Sequence, residues 1–264
     1  MTNMRLRHLL FTLVITVIFS VNLKAQECYE IQVYASEITE KNTGMIELHS
    51  NISPKGPNNV SDFSHPVHET VEFTAGVANN FEIGFYLFNR INNGKSEYIG
   101  SHIRPRITAP ESWGLKWGAS LSFEAGFVKD PASDKTSWDY EIRPIIDRTI
   151  GKNYLSINPT FDGVFNTSEF SFSPNIKYTY KLHKLYSLGV EYYGVLGKPF
   201  SWDKKEIQTH QLYLVTDLEL SPDYEINFGI GHGITQSSDQ WNIKLILGRR
   251  VEFKSKKKQK GSEK

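Results

Sequence analysis

The sequence predicts an all-β fold, a single antiparallel up-and-down transmembrane β-barrel of about 12 strands. Three observations predict it. The first is two-residue alternation over lengths that a soluble strand does not need. In "WGLKWGASLSFEAGFV", Trp113, Leu115, Trp117, Ala119, Leu121, Phe123, Ala125 and Phe127 share one face. Gly114, Lys116, Gly118, Ser120, Ser122, Glu124 and Gly126 share the other. Soluble strands usually run to about 5–6 residues, whereas a tilted membrane-crossing strand needs about 9–11. The apolar face would meet lipid and the small, polar face would line the interior. The second observation is that short turns alternate with longer loops, as in barrels with turns on one side of the membrane and loops on the other. The third is that helical spacing is not sustained anywhere after residue 25. Mean hydropathy is −0.40, which excludes a bundle of membrane-spanning helices.

The N-terminus comes first in order. Arg5, Arg7 and His8 precede the apolar run Leu9–Val21, and "NLKAQE" follows. Basic flank, short apolar run and small residue read as an export signal over residues 1–25, cut after Ala25. Cys28 is the chain's single cysteine. Glu27 before it argues against lipidation, so it reads as a free thiol. Residues 26–43, including "CYEIQVYAS", read as a periplasmic or lumen-filling extension. Counting them as a strand would give an odd number, and bacterial single-chain barrels have even numbers.

The barrel is expected over residues 44–253. Strands fall near 44–52, 69–78, 80–90, 97–108, 113–128, 138–149, 153–164, 168–181, 185–196, 207–220, 223–234 and 240–253. Short turns are "NN", "APES", "GKN", "LHK" and "SPD". Asn79-Asn80 tolerates positive φ and suits a tight hairpin. Trp113, Trp138, Trp241, Tyr154, Tyr180, Tyr186 and Tyr224 lie near strand ends, where interfacial aromatic girdles belong. Phe253 ends the pattern, and "KSKKKQKGSEK" over 254–264 reads as a basic disordered tail.

The block "GMIELHSNISPKG…HETVEFTAGVANNFEIGFYL" centres on the hairpin core Gly76–Gly84. It resembles the outer-membrane barrel family grouped with the proteins of a phenol-degradation pathway, within the porin-like and transporter-like barrels of Gram-negative bacteria. The resemblance covers about 50 residues and otherwise only the strand pattern. It implies the fold and a location in the cell outer membrane, implies transport weakly, and supplies no catalytic residues.

Projecting the alternation puts ionisable residues inside. The strongest candidates for a selectivity-setting lumen are Glu82, His102, Arg104, Arg106, Lys116, Glu124, Glu141 and Arg143. Glu72, Asp147, Asp162, Glu191, Glu225, Lys177, Lys244 and Arg250 join them. Opposed charges across a narrow lumen either sort ions or fill and stabilise the barrel. The sequence therefore supports a porin-like channel for a small solute, with a closed structural or binding barrel as the alternative. A lipid hydrolase is the second alternative. His49 and Ser50 are adjacent, so they face opposite ways on a strand, and no G-x-S-x-G occurs. No enzyme, cofactor or metal is assigned. His65, His68 and Glu69 read as a solvated loop. Net charge is +1 and no nucleic-acid motif is present, so the expected partners are outer-membrane lipid and a small solute. The oligomeric state is left open.

Overall fold

The computed structural model describes residues 29–58, 60, 63–130 and 133–253. The export signal, Cys28 and the basic tail lie outside the described residues.

Twelve long strands close into one antiparallel barrel. In chain order they are β1 (Thr43–Pro57), β2 (Val67–Ala78), β3 (Phe81–Asn92), β4 (Lys95–Thr108), β5 (Gly118–Asp130), β6 (Lys135–Ile150), β7 (Asn153–Val164), β8 (Phe170–His183) and β9 (Tyr186–Val195). A two-stranded hairpin, β10 (Gly197–Lys198) and β11 (Ser201–Trp202), sits in the loop that follows. The barrel resumes with β12 (Thr209–Ser221), β13 (Tyr224–Gly233) and β14 (Asp239–Glu252). Each barrel strand pairs with its sequence neighbour, and β14 pairs with β1 to close the ring. Closure leaves no open edge, as hydrocarbon requires.

Burial follows the pleat. In β1, Met45, Glu47, His49 and Asn51 are buried while Ile46 and Leu48 are exposed. In β3 and β4, Glu82, Tyr86, His102, Arg104 and Arg106 are buried, and Phe85, Ile103 and Ile107 are exposed. Polar residues therefore point in and apolar residues out, the inverse of a soluble protein. The outer face is an apolar belt that only lipid can cover. A charge there should be expensive. Leu214, 60% exposed near the middle of β12, is flanked by Ile230 and Val190. Leu214→Lys is expected to destabilise the barrel by about 2–4 kcal/mol in lipid vesicles, read by urea unfolding. A neutral effect would mean that this face meets water.

Two features depart from the sequence expectation. β5 begins at Gly118, not at Trp113. Pro110 opens a short 3₁₀ turn over Glu111–Trp113, and Gly114 ends it in the left-handed conformation at φ 61°. The alternation through Trp117 is thus carried by a connection, and Trp113, Leu115 and Trp117 are exposed beside the barrel end. The left-handed hairpin pair is Asn93-Gly94, at φ 50° and 75°, between β3 and β4. The Asn79-Asn80 turn forms without positive φ. Tyr154 also departs from its girdle assignment. Its hydroxyl donates inward to Asp147 Oδ2 at 3.0 Å.

Candidate functional site

An eight-stranded barrel is just filled by its own side chains, while 16–18 strands leave an aqueous channel. Twelve strands fall between, so side chains alone do not fill this lumen. Residues 29–42 do. They run as an irregular strap inside the barrel. At the turn end, Lys41 forms a parallel bridge with Gly76 of β2. Toward the loop end, Tyr29 packs edge-on against His68, with ring centroids 4.7 Å apart. Ile31, Val33, Tyr34 and Ser36 are buried. Two glycines admit the strap to the wall: a Cβ on Gly76 would sit 2.0 Å from Glu40 O, and one on Gly118 would sit 2.0 Å from Ser36 Oγ.

An irregular backbone in a water-excluded lumen needs partners for its peptide groups. The wall supplies them from side chains. Thr70 Oγ1 donates to Tyr29 O at 2.7 Å. Lys244 Nζ donates to Ile31 O at 3.0 Å. Asn158 accepts from Tyr34 N at 2.8 Å, and Ser156 Oγ donates to Tyr34 O at 2.6 Å. Asp147 accepts from Ser36 N and Oγ at 2.7 and 2.6 Å. Arg106 donates to Ala35 O and Glu37 O, and Glu82 Oε2 accepts from Thr39 N at 2.6 Å.

The charge network surrounds the strap. Arg104 bonds Glu72 and reaches Glu82 Oε1 at 3.0 Å, and Arg106 reaches the same Glu82 oxygen at 2.7 Å. Glu82 and Arg106 are direct cross-strand partners. Arg143 pairs with Glu141 at 2.6 Å and approaches Glu30 of the strap at 3.9 Å. The ring of Tyr34 lies beneath three guanidinium groups, 4.8 Å from Arg104, 5.2 Å from Arg106 and 4.6 Å from Arg143. Its hydroxyl bonds Tyr86 Oη at 2.7 Å and donates to Glu30. Across the lumen, Lys244 and Lys177 both hold Glu191. Arg104, Lys244, Glu72, Glu82 and Glu191 are 0–2% exposed. A side chain lining a water-filled pore would remain accessible, so the lumen is dry at this level.

Seven of the eight candidate lumen residues face inward: Glu82, His102, Arg104, Arg106, Glu124, Glu141 and Arg143. They do not form one ring. Glu124 belongs to His102, whose ring lies between it at 2.6 Å and Asp139 at 2.9 Å. Lys116 is a correction. It is exposed in the connection before β5, because the residues that would have carried it inward are not strand. Arg250 and Glu225 pair at the exposed rim, 3.0 Å apart. The histidine group of the first loop separates: His68 turns inward to Tyr29, His65 bonds Ser53 O at 3.1 Å, and Glu69 accepts from Ser50. His49 faces inward and is fully buried, while Ser50 bonds Glu69, so the two do not pair. Sequence reasoning missed Glu30, Tyr34 and Tyr86, along with Glu47 and His49 as inward groups. For the last two the signal was present, since Ile46 and Leu48 fix the parity of β1.

A closed, even-numbered antiparallel barrel with an apolar outer belt and a polar interior is an outer-membrane β-barrel. Among solved structures, the chain is similar to an outer-membrane channel from Pseudomonas putida F1, at 10% identity and a TM-score of 0.59, over 84% of this chain and 100% of that one. It is similar to the KdgM porin, at 10% identity and a TM-score of 0.52, over 78% and 98% of the two chains. It is also similar to the NanC porin, at 10% identity and a TM-score of 0.50, over 80% and 100%. No protein-family model matches the chain, and no curated protein sequence matches it.

Proposed function

We propose that this protein is a porin-like outer-membrane channel for a small solute, held closed in the state seen here by its own N-terminal strap. One observation carries the reading. The barrel wall is polar, while the material that blocks the lumen is a separate, irregular segment joined to it by side-chain bonds. Displacing residues 29–42 would leave a charged, water-compatible passage in a barrel wider than side chains can fill. The proteins of similar fold described as a channel and as porins support the same class. The hairpin core Gly76–Gly84 supports kinship with the barrels grouped with phenol degradation. In the open state Arg104, Arg106 and Arg143, interleaved with Glu82, Glu124 and Glu141 on β3–β6, would line one side of the passage and set its selectivity. The reading assigns no catalytic step.

The test is current through planar lipid bilayers. The intact protein is expected to be silent or to flicker. A variant in which residues 29–38 are replaced by Gly and Ser, shown to be folded by heat-dependent gel mobility, is expected to give steady steps. Silence of that folded, inserted variant would favour a permanently closed barrel, whose wall is built to hold its strap.

A further inference from the structure

We infer that Glu47, His49 and Glu72 form a binding site for one divalent first-row transition-metal ion, in the barrel wall beneath the strap. Glu47 and His49 project from β1, and Glu72 from β2. Their ligand atoms all lie within 4.8 Å of one another.

Three independent observations point to a cation. First, His49 Nε2 and Glu72 Oε2 face each other at 3.5 Å, longer than a normal hydrogen bond. Both side chains are fully buried, and neither atom has a hydrogen-bond partner among the described residues. Two donors about 2.0–2.2 Å from one ion, at a tetrahedral angle, sit about 3.4 Å apart. Second, Glu47 and Glu72 are directly opposed in the β1–β2 register. Like charges in that position repel. Third, carboxylates outnumber guanidinium groups around them. Glu30, Glu72, Glu82 and Glu141 are held by Arg104, Arg106 and Arg143, and Glu47, opposite Glu72, adds a fifth carboxylate. An excess of carboxylates in a dry lumen calls for a further cation.

The surroundings are arranged for ligation. Arg104 and Thr74 both donate to Glu72 Oε1, which fixes the carboxylate and leaves Oε2 for the ion. Outer-shell partners of this kind orient metal-ligating carboxylates. One imidazole with two carboxylates suits zinc, manganese, iron, cobalt or nickel, and it argues against calcium, which takes oxygen ligands. Glu47 is 9% exposed and lies toward the turn end of β1.

The experiment titrates the folded, detergent-solubilised full chain with cobalt chloride and follows the visible absorption, with zinc chloride in competition. One equivalent is expected to bind, with at least tenfold weaker binding in His49→Gln and in Glu47→Gln. Glu219→Gln, at an exposed ion pair with Lys181, should leave binding unchanged. Gel mobility reports folding of each variant, and Glu47→Gln, nearer the rim, serves if His49→Gln does not fold. Folded protein that takes up no stoichiometric cobalt or zinc at micromolar concentration overturns the site. Binding that survives both ligand variants does so too, because it would lie at other histidines. Neither arm uses conductance, so the outcome is independent of the channel reading.

Discussion

Arg104→Met is expected to destabilise the barrel by about 3–5 kcal/mol, the usual consequence of removing one partner from a buried ion pair. Arg104 is 2% exposed and its guanidinium bonds Glu72. It also donates to Thr74 and Tyr86 and shares Glu82 with Arg106. Without it, Glu72 keeps the Thr74 hydroxyl and the distant His49 ring. Glu72 would lose its guanidinium while still facing Glu47 across β1 and β2. Urea unfolding in lipid vesicles, followed by tryptophan fluorescence, measures the effect. The double variant Arg104→Met with Glu72→Gln should recover more than half of the loss, because it removes the stranded charge along with its partner. A single-variant effect of about 1 kcal/mol or less, the scale of solvent-exposed pairs, would show that water screens the network and that the lumen is not dry.

The barrel itself was legible because its two signals are local. Alternation needs only neighbours in sequence, and the turn pattern needs only a few residues at a time. The positions of β7, β2 and β14 follow from residues such as Phe161, Phe73 and Leu247, which must face lipid. The alternation misled at Trp113–Trp117, where the side-chain pattern runs through Gly114, but the backbone turns there. Inward orientation was likewise legible for Glu82, Arg104 and Glu124, because parity fixes it.

Pairing was not legible. Which carboxylate meets Arg104 depends on stagger between strands, and stagger is a property of the whole ring. Arg104 reaches Glu72 on β2 and Glu82 on β3, while Glu124 on β5 turns to His102. For residues 26–43 the sequence left a periplasmic and a lumen-filling reading open, and the path of the strap was not legible. "YEIQVYAS" alternates like a strand, yet forms none, because its partners are Asn158, Asp147, Arg106 and Lys244 from four separate strands. No spacing within residues 29–36 encodes contacts with residues 71 to 213 positions away.

Tyr34→Ala is expected to release the strap while leaving the barrel intact. Tyr34 is the strap's largest buried contact with the network. Three guanidinium groups face its ring, and its hydroxyl joins Tyr86 and Glu30. None of these contacts pairs one strand with another, so their loss falls on the strap alone. Truncating a large buried side chain removes about 3–5 kcal/mol. Even 3 kcal/mol would raise the population of the displaced strap by about a hundredfold. Two measurements should move together. Open time in planar bilayers should rise from flickers to sustained steps. A cysteine at Val33, buried in the intact protein, should become reactive to a membrane-impermeant maleimide in a Cys28→Ser background. Tyr34→Phe keeps the ring under the arginines and loses only the hydroxyl bonds, so it should give a smaller increase in both. If the alanine variant is folded yet as silent and as protected as the parent, the strap is part of the barrel's permanent core. The polar wall would then serve to hold it there, not to pass solute.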